Sequence, residues 1–139
     1  MFFCACASTK NIRPAGLPHA VDNDARTGEA FFKQAVSYNW RERDSLALEY
    51  ANAGQVPDFY FSFVPVTTTF MRADKEVKVT FYVAPDYFMV GTHRNWARVP
   101  ITPMAAQKIA EVYDCFLPTP SMVDAIYKAS TVKLAPVPM

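Results

Sequence analysis

The chain has 139 residues, 51% of them hydrophobic and 14% aromatic, which is enough apolar material for one globular domain. Its 14 basic and 13 acidic side chains leave a formal net charge of +1, which argues against a nucleic-acid-binding protein and against a disordered chain. No transmembrane segment is expected, because prolines and charged residues interrupt every apolar run before the roughly 20 residues that a spanning helix needs.

The amino-terminal sequence MFFCACASTK ends a short apolar stretch with small residues and a cysteine. The segment Phe3-Cys4-Ala5-Cys6 resembles the lipobox of bacterial lipoproteins, in which an apolar residue and two small ones precede the cysteine that receives the lipid. The resemblance implies a lipid anchor at Cys6, although the basic region and the full apolar region of a signal peptide are not in this sequence. The other interpretation is that Cys4 and Cys6 are thiols at a frayed chain end.

Residues 1–27 are predicted to form a flexible arm, because Pro14, Gly16 and Pro18 stand in a stretch with no helical or strand periodicity. Residues 28–139 are predicted to form a single domain. From residue 28 to residue 52 apolar side chains recur at helical spacing, which predicts two helices or one helix kinked near Tyr38-Asn39. Gly54 and Pro57 are typical of the end of a helix.

Aromatic and β-branched residues dominate positions 59–70, which predicts a strand, and residues 76–83 alternate like a half-buried antiparallel strand. The polar segment 72–75 between them predicts a hairpin turn. Pro65 cannot donate a hydrogen bond, so it predicts an edge position or a bulge. Shorter strands are predicted at residues 87–91 and 98–100.

Threonine precedes proline at Thr102-Pro103 and again at Thr119-Pro120, and each pair predicts a helix start with a threonine cap. The first helix is expected from residue 103 to about 113 and the second from residue 120 to about 130. Residues 132–134 could add a short strand. The predicted fold class is α+β, with an antiparallel hairpin or meander sheet packed against N- and C-terminal helices.

Several short motifs in a fixed order resemble an uncharacterised family of exported bacterial proteins. They cover about residues 41–139 and comprise Val56-Pro57-Asp58-Phe59, Ala84-Pro85-Asp86-Tyr87, Arg98-Val99-Pro100, Thr102-Pro103, Ala106-Gln107, Ile109-Ala110, Leu117-Pro118-Thr119, Met122-Val123-Asp124, Ile126-Tyr127 and Val132-Lys133-Leu134. The resemblance implies export but no assigned activity. It also implies a second half after residue 134, so the chain is expected to be the N-terminal half of a longer protein.

Cys115 and His93 are the candidate catalytic residues. The Asp114-Cys115 dipeptide resembles that of cysteine peptidases acting on bacterial cell walls, in which the thiol lies at a helix N-terminus. Here Cys115 follows the end of a helix, where the helix dipole disfavours a thiolate, so the other interpretation is a small buried residue that closes the helix. His93 is either the base for this thiol or a solvated turn residue.

Arg94, Trp96 and Arg98 are candidate binding residues, because with His93 they could hold an anionic or glycan ligand by charge and stacking. The alternative is a solvated hairpin tip whose Trp96 folds back onto the core. Asp58 and Asp86 each lie beside a proline and an aromatic residue, which is typical of turns and also leaves open a pair of acids. Three cysteines and two histidines without metal-ligand spacing predict no metal site, and no cofactor is predicted.

Together these features favour a non-catalytic binding domain that is exported to the bacterial envelope, the periplasm or the exterior, with a protein or cell-wall partner. A cytoplasmic location remains the alternative if Cys6 carries no lipid. The alternative function is half of a thiol-dependent hydrolase acting on peptide or peptidoglycan.

Overall fold

The computed structural model describes residues 3–4, 13–21 and 24–133, and it confirms the predicted α+β class. Two short 3-10 helices in this part of the chain lie at Asp24–Arg26 and Asp58–Phe61. The regular elements are, in chain order, β1 (Phe3–Cys4), α1 (Gly28–Ala35), α2 (Trp40–Asn52), β2 (Val64–Arg72), β3 (Lys75–Val83), β4 (Met89–Gly91), β5 (Trp96–Arg98), α3 (Pro103–Val112) and α4 (Pro120–Ala129).

Helices α1 and α2 are separate, and the break between them lies near Tyr38-Asn39, where the sequence predicts it. The Asn39 side chain accepts hydrogen bonds from the backbone N–H groups of Arg41 and Glu42, and the Glu42 carboxylate accepts one from the Asn39 N–H. This reciprocal capping box starts α2. The helix ends in a Schellman motif, in which Gly54 has a φ of +66° and the Gln55 N–H donates to the Tyr50 carbonyl over 2.9 Å.

Both Thr-Pro pairs begin helices, as predicted. The Thr102 hydroxyl accepts from the Ala105 N–H and donates to the Asp44 carboxylate of α2 over 2.5 Å, which ties α3 to α2. Thr119 caps α4 in the same way, by accepting from the Met122 N–H. A threonine cap therefore starts each helix and, at Thr102, also fixes how two helices pack.

Strands β2 and β3 form a long antiparallel hairpin in which Phe70 lies opposite Val77. Its two-residue turn, Ala73-Asp74, has left-handed φ values of 47° and 59°, as a type I′ turn requires. The predicted strand start at residue 59 is wrong, because Asp58–Phe61 is a 3-10 helix and β2 begins at Val64. That helix buries the adjacent side chains of Tyr60 and Phe61 together, whereas a strand would point them to opposite faces.

The strands divide into two antiparallel sheets, so the predicted sheet takes the form of separate hairpins and not of one continuous meander. Strands β1 and β2 flank β3 in the first sheet, and β4 pairs with β5 in the second. Strand β2 lies at a sheet edge. Pro65 has no backbone N–H, and at an edge this costs the sheet no hydrogen bond. Val132 and Lys133 lie outside any strand, and Leu134 lies outside the described residues.

Aromatic side chains dominate the main core, where Phe61 meets Tyr113 edge to face at 5.2 Å and Phe31 meets Tyr50 at 5.3 Å. A smaller cluster joins α4 to the base of the β2–β3 hairpin through Ala125. The side chains of Val123 and Tyr127 in α4 are 48% and 60% exposed. The helix covers only the base of the hairpin, so part of its apolar surface faces solvent.

Candidate functional site

The loop that carries His93 is held in place by the start of α1. The Gly28 N–H donates to the Asn95 carbonyl over 2.9 Å, and the Glu29 N–H donates to the Asn95 side-chain oxygen over 3.0 Å. Gly91 has a φ of +115° and lies so close to Asn95 that a Cβ atom would not fit. The β4–β5 hairpin therefore caps a helix and presents His93 from a fixed turn.

Both histidines of the chain converge on one carboxylate, that of Asp58 at the start of a 3-10 helix. His19 Nδ1 lies 3.0 Å from Asp58 Oδ1, and His93 Nε2 lies 3.2 Å from Asp58 Oδ2. Arg13 Nη1 donates to Oδ1 over 2.7 Å. We call Arg13, His19, Asp58 and His93 the Asp58 cluster; it joins the arm, the 3-10 helix and the β4–β5 hairpin.

Arg13 is the most deeply placed member of the Asp58 cluster, with a side chain only 10% exposed. Its guanidinium lies over the Phe61 ring, 4.7 Å from the ring centroid, and donates to the carbonyls of Pro18, Leu17 and Gly54. A planar group with five donors suits this combination of stacking and several acceptors. Residues 13–19 of the arm are therefore fastened to the domain.

The charge on Asp58 is stabilised by its neighbours. Partial burial by itself raises the pKa of this carboxyl, but hydrogen bonds from His19 and His93 and the positive charge of Arg13 outweigh it. The net pKa of Asp58 lies below its ordinary value. The Asp58 cluster is thus a structural ion-pair network. Its carboxylate contacts one guanidinium and two imidazoles, which link the arm to the domain.

Cys115 lies in the core at the end of α3, with 9% of its surface exposed. Its N–H donates to the Ala110 carbonyl over 2.8 Å, and the preceding residue, Asp114, has a φ of +51°. This is a Schellman helix end, as in α2, with aspartate where glycine is usual. The thiol donates to the Tyr113 carbonyl over 3.2 Å, while His93 contacts Asp58 and the Phe59 ring. The placement matches the prediction that Cys115 closes a helix.

The three candidate binding residues occupy different settings. Arg94 is exposed at the hairpin turn. Trp96 is half-buried and meets the Phe59 ring edge to face at 5.5 Å. Arg98 donates to both carboxylate oxygens of Asp86, over 2.9 and 2.5 Å, and its guanidinium lies 5.4 Å from the Trp96 ring centroid. Trp96 therefore packs back onto the domain, and Arg98 is neutralised by Asp86.

Asp86 serves a turn, as the sequence indicates, since its carboxylate accepts from the Tyr87 N–H over 2.7 Å. Hydrogen bonds from Arg98 lower the pKa of Asp86 further than partial burial raises it. Asp58 and Asp86 each have their own cationic partners, so the structure shows two separate ion-paired sites. Neither arrangement resembles two acids that share a proton.

Among residues 3–4, 13–21 and 24–133, no group of His, Cys, Asp and Glu side chains is arranged to hold a metal ion. Within the same ranges no helix is long and apolar enough to cross a bilayer. Cys6, the predicted lipid attachment point, lies outside the described residues.

An open groove of about 650 Å³ lies where β5, the start of α3 and the segment after α3 meet. Its walls are apolar and rich in proline: Tyr87, Phe88, Arg98, Val99, Pro100, Ile101, Pro103, Ala106, Leu117 and Pro118. A second depression, beside Trp40 and Asp44, measures about 200 Å³. Only the larger one falls in the range of roughly 300–1,000 Å³ that is usual for ligand sites.

Sequence reasoning singled out Asp58 and His93 but missed Arg13, His19 and the convergence of all four, and it missed all of the groove except Arg98. Arg13 and His19 stand in a stretch without periodicity, and 39 residues separate His19 from Asp58. The available signal was the arm's Pro14-x-Gly16-x-Pro18 pattern, which limits its conformations. Comparisons with protein-family models, curated proteins and solved structures gave no significant match.

Proposed function

We propose that the protein is a non-catalytic binding domain of the bacterial envelope and that the groove between β5 and α3 is its ligand site. The observation that carries this proposal is the groove itself, which has a ligand-sized volume and apolar walls. The envelope location rests on the resemblances at Cys6 and along residues 41–139.

The proposed occupant is an uncharged, extended apolar segment of a partner protein. Arg98 and Asp86 neutralise each other at the rim, so the groove offers no net charge to an ionic ligand. Tyr87 is 66% exposed beside it, and aromatic residues in such grooves pack against apolar or proline-rich peptides. Pro100, Pro103 and Pro118 stiffen the walls, which lowers the entropy lost on binding.

A catalytic role has less support from the geometry. A thiol nucleophile must reach its substrate, whereas the Cys115 thiol is buried and donates a hydrogen bond to the Tyr113 carbonyl. His93 is engaged with the Asp58 carboxylate, 3.2 Å from its Oδ2. The hydrolase alternative stays a prediction, and it requires a rearrangement that exposes Cys115.

Filling the groove is expected to abolish binding. Ala106 is a half-buried residue of α3 that lines the groove, so Ala106→Trp would place an indole where the ligand lies. The probe is the set of peptides that the wild-type chain selects from a random display library, measured by fluorescence anisotropy. We expect apolar peptides to be selected and their Kd to rise by at least about tenfold in Ala106→Trp.

Gln107→Trp is the matched control, because it adds the same side chain to the same helix at an exposed position outside the groove. It should bind the selected peptides like the wild type, and circular dichroism should show both variants folded. If no peptide is selected, or if both variants bind equally well, the groove is not the ligand site.

The envelope location predicts lipid attachment at Cys6. Expressed in a bacterium from its native genomic locus, the protein should incorporate labelled palmitate and partition into detergent. Cys6→Ser should lose both properties, while Cys4→Ser should keep them, because only Cys6 follows the small residues of the lipobox-like segment. Equal labelling of the two variants, or no labelling of the wild type, would contradict the lipoprotein assignment.

A further inference from the structure

Within the residues that the structure describes, the outer edge of β2 carries backbone groups that pair with no other strand. Arg72 and Lys75 flank a two-residue turn and form a hydrogen-bonded pair. Because such pairs alternate along an antiparallel ladder, Phe70, Thr68 and Val66 also form backbone hydrogen bonds to β3. The intervening residues Thr67, Thr69 and Met71 direct their N–H and C=O groups away from β3. In the described part of the chain β2 is the last strand of its sheet on this side.

The same hairpin has an apolar face that α4 covers only at its base. Val66 and Phe81 are buried against α4, whereas Val77 and Val79 farther out are 39% and 36% exposed. Phe70, opposite Val77, is only half-buried. An open edge beside an uncovered apolar face is a feature that soluble proteins usually block or pair.

We propose that this edge binds a second copy of the chain, with the two β2 strands pairing antiparallel about a two-fold axis at Thr69. In this register Thr69 faces Thr69 of the second copy and Thr67 faces Met71, so all three outward N–H groups of each strand gain acceptors. About six backbone hydrogen bonds form, because each such pair exchanges two. The proposal is independent of the groove, which lies on other elements.

The side chains fit this register. Arg72 faces Val66 of the second copy and Thr68 faces Phe70, so no like charges lie directly opposite one another. The two Phe70 rings become diagonal neighbours and extend one apolar face across four strands. The outer edge of β3 is the weaker candidate, because its base already carries β1.

A cysteine at position 69 tests the register directly. In a background with Cys4 and Cys6 replaced by serine, Thr69→Cys should form a covalent dimer under mild oxidation, because facing residues of such pairs lie about 5.5 Å apart at Cα, within disulfide reach. Thr80→Cys is the matched control: it lies on the same face of the hairpin but on β3. We expect it to stay monomeric.

Sedimentation equilibrium gives the second test. The wild type should dimerise, and Thr69→Pro should weaken the dimer by at least about tenfold, because it removes one outward donor from each copy and no bond to β3. Thr69→Lys, which places like charges opposite each other, should do the same if the proline variant misfolds. A monomeric wild type, a dimer unaffected by both substitutions, or preferential cross-linking at position 80 would overturn the proposal.

Discussion

Replacing Arg13 by alanine is expected to lower the free energy of unfolding by about 2–4 kcal/mol, which is large for a residue outside the regular elements. The side chain is almost fully buried, lies over Phe61 and donates to the carbonyls of Leu17 and Gly54 as well as to Asp58. Its loss removes this donor from both carbonyls, leaves Asp58 with only the two histidines, and releases the arm. Urea denaturation followed by circular dichroism measures the change.

Two variants separate the role of Arg13 from a general charge effect. Arg13→Lys keeps the charge but not the planar fork, so it should recover less than half of the lost stability. His19→Ala removes an imidazole that is 74% exposed and should cost less than about 0.5 kcal/mol. An Arg13→Ala protein as stable as the wild type would show that the arm does not contribute to the fold.

The pH dependence of the free energy of unfolding measures what the Asp58 cluster contributes to stability. Asp58 has a lower pKa in the folded chain than in the unfolded chain, so the unfolded state takes up protons first on acidification. The stabilisation is therefore complete above the ordinary aspartate pKa of about 3.9 and is lost as the pH falls through the lower folded value. Asp58→Asn should flatten the acid limb of the stability curve relative to the wild type.

Local signals made the helices predictable. Asn39, Gly54, Thr102 and Thr119 mark helix ends through hydrogen bonds to residues a few positions away, so the information lies in adjacent sequence. The strand predicted from residue 59 failed because Tyr60 and Phe61 are both buried by packing against distant elements. Their shared aromatic character predicts a strand locally, and only the tertiary fold overrides that preference.

The candidate site was harder to predict, since its residues meet only in the folded chain. The sequence indicates Arg98 as a ligand contact, but its ion pair with Asp86, 12 positions earlier, has no local signal. The groove arises where three segments converge, and its apolar residues have no individual signature. By contrast, the position of Cys115 at a helix end followed from the neighbouring Thr119-Pro120 start and could be anticipated.

Unlike Arg13→Ala, the substitution Tyr60→Phe is expected to stabilise the fold. It should raise the free energy of unfolding by about 1–2 kcal/mol. Tyr60 is fully buried, and its hydroxyl makes no hydrogen bond within the residues that the structure describes. Burial raises the pKa of Tyr60 well above its ordinary value, so the group stays neutral but loses its hydration. Removing the oxygen removes that cost and keeps the ring contacts with Phe61 and Phe88.

Thermal denaturation measures the effect of Tyr60→Phe, with Tm expected to rise by about 4 °C or more for a domain of this size. Tyr127→Phe is the control, because it removes a hydroxyl from a side chain that is 60% exposed and should change stability by less than about 0.5 kcal/mol. A Tyr60→Phe protein less stable than the wild type would mean that the hydroxyl is hydrogen-bonded in the folded chain. In that case the Tyr60 side chain contributes a polar contact to the core, and the phenylalanine ring alone cannot replace it.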